Sequence, residues 1–236
     1  MRLDKYVTLA LSVSRKDAKK LIISKKIKLV KDNYLITNVN TDYDVEDEEV
    51  YFDDKRIYAS EFIYLMMNKP AGYICANYDN KHKCVFDLIG EYKTRKLGVV
   101  GRLDIDTEGL LIITDDGNLI HHLTSPKTGC KKKYFLKTDS SFTNDDIEQF
   151  KKGVYIDVDG EKYLTKPGEL ELLGEVESYI SITEGKFHQV KLMAEAVGRR
   201  VTYLKRVEIN GLKLDNNLKI GEYRLLSDEE IALLKK

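Results

Sequence analysis

The stretch Gly101-Arg102-Leu103-Asp104-Ile105-Asp106-Thr107-Glu108-Gly109 runs into Leu110-Leu111-Ile112-Ile113-Thr114 and then Asp115-Asp116-Gly117. It reads as a tight polar loop, a short apolar strand and a turn. Asp104 follows Arg102 by two residues at the mouth of that strand. A scaffold can hold one carboxylate there for chemistry on a ring or a sugar. Asp106 and Glu108 are rivals for the role, and an Asp104 that merely caps a turn or pairs with Arg102 is the plain alternative.

Around this segment, short strands alternate with a few helices. Ile63-Tyr64-Leu65-Met66-Met67 predicts a buried strand that ends at Asn68-Lys69-Pro70-Ala71-Gly72-Tyr73, where Pro70 and Gly72 mark a turn. Asn144 to Lys152 predicts a helix. Gln189 to Val197 predicts another, stopped by Gly198, and Ser227-Asp228-Glu229-Glu230 starts a last one. Closely spaced strands with few helices point to an α+β fold on a mainly antiparallel mixed sheet with flanking helices, not to βαβ winding.

Residues 1–59 read as a separate small module. Leu3, Val7, Ala10 and Leu11 recur at helical spacing. Ser14 is a candidate N-cap with Asp17 three residues on. In the helix that follows, Ala18, Leu21 and Ile22 face one way, while Arg15, Lys16, Lys19 and Lys20 face the other. Ile27-Lys28-Leu29-Val30 opens a β-rich part with a turn at Asp32-Asn33. Glu61-Phe62 is the expected hinge, which leaves 60–236 as the second domain.

With 236 residues and a 42% hydrophobic share, the chain can bury a substantial core. No apolar run approaches the ~20 residues of a membrane span, and no signal peptide is legible, so a cytoplasmic protein away from membranes is expected. Cys75, Cys84 and Cys130 form no close pair, which points to free thiols and no metal site. The formal net charge is zero, but it is unevenly spread. Ten basic residues up to Lys31 face only Asp4 and Asp17, while acids dominate from Asp32 to Ala59. A local basic face can guide a polyanion whatever the total charge.

The N-terminal Arg-Leu-Asp-Lys opening, the Ser14-Arg15 helix start and the Lys-Lys-Ile-Lys-Leu-Val strand at 25–30 resemble an S4 RNA-binding domain. The resemblance makes Arg15, Lys16, Lys19, Lys20, Lys25 and Lys26 the RNA face. Such lysines hold phosphate and orient RNA but do not read its sequence. The central segment resembles the main motif of pseudouridine synthases, in the branch that acts on the ribosomal small subunit. Asn68-Lys69-Pro70-Ala71-Gly72 is similar to that family's first motif, and Thr183-Glu184-Gly185-Lys186-Phe187-His188-Gln189-Val190-Lys191 to its third. Cys130-Lys131-Lys132-Lys133-Tyr134 falls where the family has a Lys-x-Tyr element. The set occurs in the family's order and, with the S4-like module, spans essentially the whole chain.

The resemblance implies isomerisation of one uridine in ribosomal RNA to pseudouridine. It points most closely to uridine 516 of small-subunit rRNA, on naked RNA or an assembling subunit, by a monomer. Large-subunit synthases share most of these motifs, and a non-catalytic rRNA-binding assembly factor is a further alternative. The reaction breaks the N1–C1′ bond and joins C5 to the same sugar carbon. Nothing is oxidised and no group is lost, so no cofactor is expected. By resemblance Asp104 is the reacting carboxylate, attacking carbon or steadying a cationic sugar. Lys191 keeps it charged, and Tyr134, one of fifteen tyrosines, serves the final C5 deprotonation. Arg102 fills the gap left by the extruded base. Lys69 contacts RNA phosphate or braces Tyr134. His188 is expected to be structural. Leu192 stands where relatives often carry a second basic residue, so no RNA contact is expected from that position.

Overall fold

The apolar run Leu110–Ile113 lies at the centre of the main sheet, with all four side chains fully buried. In this computed structural model, residues 1–11, 13–36, 39–57, 59, 62–89 and 96–236 are described. The chain divides into two compact units, one built mainly from Met1–Phe62 and one from Ile63–Gly90 with Leu97–Lys236. Glu61, half of the expected hinge, lies outside the described residues.

In the first unit, helices α1 (Leu3–Leu11) and α2 (Arg15–Ile23) precede strands β1 (Ile27–Lys31), β2 (Tyr34–Ile36), β3 (Glu49–Phe52) and β4 (Lys55–Ile57). The strands form an antiparallel sheet in the order β2-β1-β3-β4. Ser14 caps α2 by accepting from the Asp17 amide. Asp32 and Asn33 turn the β1–β2 hairpin at positive φ, as short polar residues tolerate. Leu3, Val7, Ala18, Ile22, Leu29 and Val50 fill the core. Asp4 is fully buried and accepts from Arg15 and Arg2. The Arg15 hydrogen bond outweighs burial and, with Arg2, pushes this carboxyl down to about 2.

The second unit holds β5 (Tyr64–Lys69), β6 (Tyr73–Ile74), β7 (Lys83–Cys84), β8 (Gly98–Val100), β9 (Glu108–Thr114), α3 (Gly117–Thr124) and β10 (Lys132–Thr138). It continues with α4 (Asn144–Lys152), β11 (Tyr155–Val158), β12 (Glu161–Leu164), β13 (Glu169–Leu172), β14 (Glu177–Ile182) and α5 (Gln189–Ala196). It closes with β15 (Val201–Ile209), β16 (Leu212–Lys213), β17 (Tyr223–Leu225) and α6 (Asp228–Leu234). Among the described residues nine strands make the main sheet, with the path β13-β14-β10-β15-β9-β5-β17; β16 joins β15 and β8 joins β9. The β9–β15 pairing is parallel and the sheet's other pairings are antiparallel. The expected α+β class and mainly antiparallel mixed sheet are therefore what the chain forms.

The helices over 144–152 and from 189 form as read, and Thr143 supplies a capping box to the first. Asp115-Asp116-Gly117, read as a turn, instead opens α3. Asp116 is its N-cap and accepts from the amides of Asn118 and Leu119. A glycine at the first helical position gave no helical signal, and the cap replaces the missing propensity.

The parallel β9–β15 contact sets a steric condition. Gly109 has φ of +103°, and a Cβ there would overlap the carbonyl oxygen of Arg206. Gly129 has φ of +66° and open space around its Cα. Gly129→Ala is expected to cost about 1–2 kcal/mol, the strain of a left-handed residue. Gly109→Ala adds the backbone clash and should cost more than about 3 kcal/mol. Urea denaturation midpoints of the two variants measure the difference.

Candidate active site

The Asp104 loop is the connection between β8 and β9. These strands pair from Gly98↔Thr114 to Val100↔Ile112, which leaves Gly101–Thr107 as the turn. Two buried cations hold its backbone. The Lys69 ammonium, fully buried at the end of β5, donates to the carbonyls of Thr107 (2.8 Å), Asp104 (3.0 Å) and Pro70 (3.1 Å). The Arg206 guanidinium, 1% exposed on β15, donates to the carbonyls of Leu110 (2.8 Å), Gly101 (3.0 Å) and Val100 (3.3 Å). Neither cation has a carboxylate within ion-pair distance among the described residues. Burial pushes the Lys69 pKa down, as expected of an ammonium removed from water. The Gly72 amide donates to the Ile105 carbonyl (2.7 Å), and the Leu103 amide to the Cys75 thiol (3.4 Å).

This corrects one expectation. Lys69 does not reach RNA phosphate, because its side chain is sealed from solvent. It braces the Asp104 loop rather than Tyr134.

The loop presents Asp104 to α5. Asp104 Oδ2 lies 3.0 Å from Lys191 Nζ, and Asp104 Oδ1 lies 3.6 Å from His188 Nε2. Lys191 is shared, since its Nζ also reaches Asp106 Oδ1 at 2.6 Å. Burial opposes the Lys191 charge, but the hydrogen bonds to Asp106 and Asp104 outweigh it and raise its pKa. Asp106 is the reciprocal case: burial pushes its pKa up, and Lys191 more than reverses this, so it ends lowered. Glu108 instead accepts from the Tyr203 hydroxyl at 2.7 Å. The three acids of the loop are thus sorted by their partners. Asp104 faces a cavity, Asp106 shares its cation, and Glu108 is tied to β15.

The segment carrying Lys191 is anchored from below by Glu184, which is 4% exposed. Its carboxylate accepts from Gln189 Nε2 (2.6 Å), the Tyr163 hydroxyl (2.7 Å) and the Lys166 amide (2.9 Å). Gln189 in turn accepts from the Lys186 amide (2.8 Å). His188 caps α5 in the left-handed region (φ 50°), and its ring stacks on Phe187.

Beside this cluster lies a cavity of about 530 Å³, the size range of small-ligand sites. Asp104, Tyr134, Arg102, Lys132, His188 and Arg206 are among its lining residues. The period-2 alternation of β10 explains why Lys132 and Tyr134 share the inward face while Lys133 does not. Lys132 donates to the Cys130 carbonyl (3.0 Å), and burial lowers its pKa. Arg102 is exposed at the rim, with no ion pair to Asp106 or Glu108. Cys75, Cys84 and Cys130 are free thiols, and the described residues contain no metal-ligating cluster.

In the first unit, Arg15 and Lys19 lean on the buried Asp4 (3.1 and 3.9 Å), and Lys20 pairs with Asp17 (3.1 Å). Lys16, Lys25 and Lys26 are exposed without an ion pair among the described residues. One site residue escapes sequence reading: Arg206 acts about a hundred positions from the loop it holds, with no local signal. The ring of His188, the residue that caps α5, also stands beside Asp104.

Comparison with known proteins points the same way. The family model described as RNA pseudouridylate synthase matches residues 63–196. Ribosomal small subunit pseudouridine synthase A of Salmonella typhimurium is 41% identical over 232 residues, 98% of this chain and 99% of that protein. The Escherichia coli K12 protein of the same name is 40% identical over 232 residues, with the same coverage. A Bacillus subtilis protein named uncharacterized RNA pseudouridine synthase YtzG is 40% identical over 241 residues, 100% of this chain and 99% of that one. A crystal structure of a pseudouridylate synthase superposes with a TM-score of 0.70 at 34% identity, covering 99% of both chains.

The shared cation gives a pH-dependent expectation. The lowered Asp106 pKa contributes stability that is present above the ordinary carboxylate range and lost as pH falls through it. Lys191→Met removes that contribution and leaves two carboxylates facing each other. It should lower stability by about 1 kcal/mol at pH 7, a modest figure because Asp106 is solvent-screened. The difference from wild type should shrink below pH 4. Thermal melts at both pH values measure it.

Proposed function

Because the chain belongs to the RNA pseudouridylate synthase family, we propose that it converts one uridine of small-subunit ribosomal RNA to pseudouridine, with Asp104 as the reacting carboxylate. We take uridine 516 as the target because the motif resemblance points there. The observation that carries the reading is Asp104 at the wall of a uridine-sized cavity, 3.0 Å from the Lys191 ammonium.

The chemistry fits the side chains. An ionised Asp104 attacks carbon or stabilises the cationic sugar while the N1–C1′ bond breaks. The base turns, C5 bonds to C1′, and the proton lost from C5 balances the one gained at N1. Tyr134, 8% exposed in the cavity wall, stacks on the base and serves that proton transfer. Lys69, Lys191 and Arg206 hold the Asp104 loop, Lys132 lines the same cavity, and together they favour a polyanionic substrate. Arg102, exposed at the rim and without an ion pair among the described residues, takes the place of the extruded base. No step calls for a redox or group-carrying cofactor.

The S4-like first unit holds the RNA backbone through Arg15, Lys16, Lys19, Lys20, Lys25 and Lys26. The ion pairs of Arg15 and Lys19 with Asp4 fix their position, and both side chains remain about half exposed. The enzyme works as a cytoplasmic monomer on rRNA or an assembling small subunit. No helix among the described residues is long and apolar enough to cross a membrane.

Asp104→Asn preserves shape and removes the charge. On small-subunit rRNA labelled with tritium at uridine C5, tritium release should fall by at least about a thousandfold, while RNA affinity stays within threefold. Full release by the variant would contradict the assignment of Asp104. Carbodiimide mapping of the same rRNA should find the new pseudouridine at a single position.

A further inference from the structure

Phe187 is an aromatic side chain that the second unit leaves outside its core. It lines the Asp104 cavity yet is 55% exposed, whereas Tyr134 in the same wall is 8% exposed. Its ring stacks on His188 with centroids 3.8 Å apart and planes 20° from parallel. His188 in turn lies 3.6 Å from Asp104. The sequence Asp104, His188, Phe187 therefore runs from the reacting carboxylate toward solvent.

The anchoring of this loop does not involve the Phe187 ring. Gln189 accepts from the segment's Lys186 amide and donates to Glu184, which ties the segment to the Lys166 amide, and His188 takes a left-handed φ of 50°. That is an uncommon backbone state for a residue other than glycine, and such states gather at functional positions. The ring is thus pre-set at the cavity mouth, with one face on His188. Lys186, next to it in sequence, and Arg102 are exposed cations of the same cavity lining, and neither has a carboxylate partner among the described residues. Lys186 instead lies over the Tyr163 ring at 4.4 Å. An open aromatic face beside unpaired cations suits one occupant: a splayed nucleotide, its base on the ring and its phosphates on the cations.

We propose that the stacked pair Phe187–His188 is a binding platform for the base of the nucleotide next to the target uridine. This rests on the rRNA reading above. Extruding a uridine into the cavity unstacks its neighbour, and Phe187 offers that neighbour a replacement stack. The platform is tolerant of base identity, because every base has a π-face.

The test uses the whole protein and a small-subunit rRNA fragment containing the mapped uridine. The fragment carries 2-aminopurine or an abasic ribose at the 5′ or the 3′ neighbour. Wild type should alter 2-aminopurine fluorescence at one of these positions. Phe187→Leu should abolish that change and raise KM about tenfold, the lower range of a base–aromatic stack, with the smaller share of the loss in kcat. Phe187→Tyr should restore both. The abasic substrate should raise KM for wild type by a similar factor and add little to the Phe187→Leu defect. Unchanged KM and fluorescence in Phe187→Leu, or defects that multiply in full, would overturn the platform while wild-type isomerisation leaves the proposed function standing. Failure of wild type to isomerise the fragment would overturn both.

Discussion

The buried Lys69 ammonium is the constraint on which the site depends. An ammonium without water or a carboxylate is costly to bury, and here the backbone carbonyls of one loop take the place of water. Satisfying the charge requires those carbonyls to converge, so the loop has one conformation rather than several. Arg206 applies the same condition to the flanks of the loop, at Val100, Gly101 and Leu110. The strand termini β5, β8, β9 and β15 are thereby gathered around one point. Gly109 is needed because the Arg206 backbone passes too close for any Cβ.

Side-chain selectivity follows from that backbone. With the loop fixed, Asp104 meets Lys191 and the cavity, Asp106 meets the other side of Lys191, and Glu108 meets Tyr203. Tyr203 donates to Glu108, and burial followed by this bond pushes its own pKa up to about 12. Three carboxylates within five residues thus have three separate roles, set by partners and not by residue type. Lysine at 191 is a point charge and can serve two carboxylates at once, whereas a fork-shaped guanidinium favours one planar partner.

Much of this was legible from sequence where the signal is local. Ser14 and Ser227, read as helix starts, cap α2 and α6. The Lys-x-Tyr resemblance singled out Tyr134, and the alternation of β10 puts Lys132 and Tyr134 on one face. The apolar run at 110–113 marked a strand buried on both sides. What sequence hid was non-local. The Asp104 and Thr107 carbonyls that Lys69 binds lie thirty-five or more residues away, so a turn lysine before Pro70 looked like an RNA contact. Arg206 carries no local signal for the contacts it makes about a hundred positions away. α3 was missed because its start is Asp-Gly, a turn signal that here serves as cap and first turn.

Lys69 fixes the Asp104 loop from within and is sealed from solvent. The most direct measurement pairs backbone amide exchange over 101–107 with turnover of small-subunit rRNA by Lys69→Met. Loss of the ammonium should speed exchange across that loop and lower kcat on the order of a hundredfold, the cost of roughly 1 Å of misplacement. RNA affinity should change little. A loop that stays protected with wild-type kcat, or a loss confined to RNA affinity, would contradict the account.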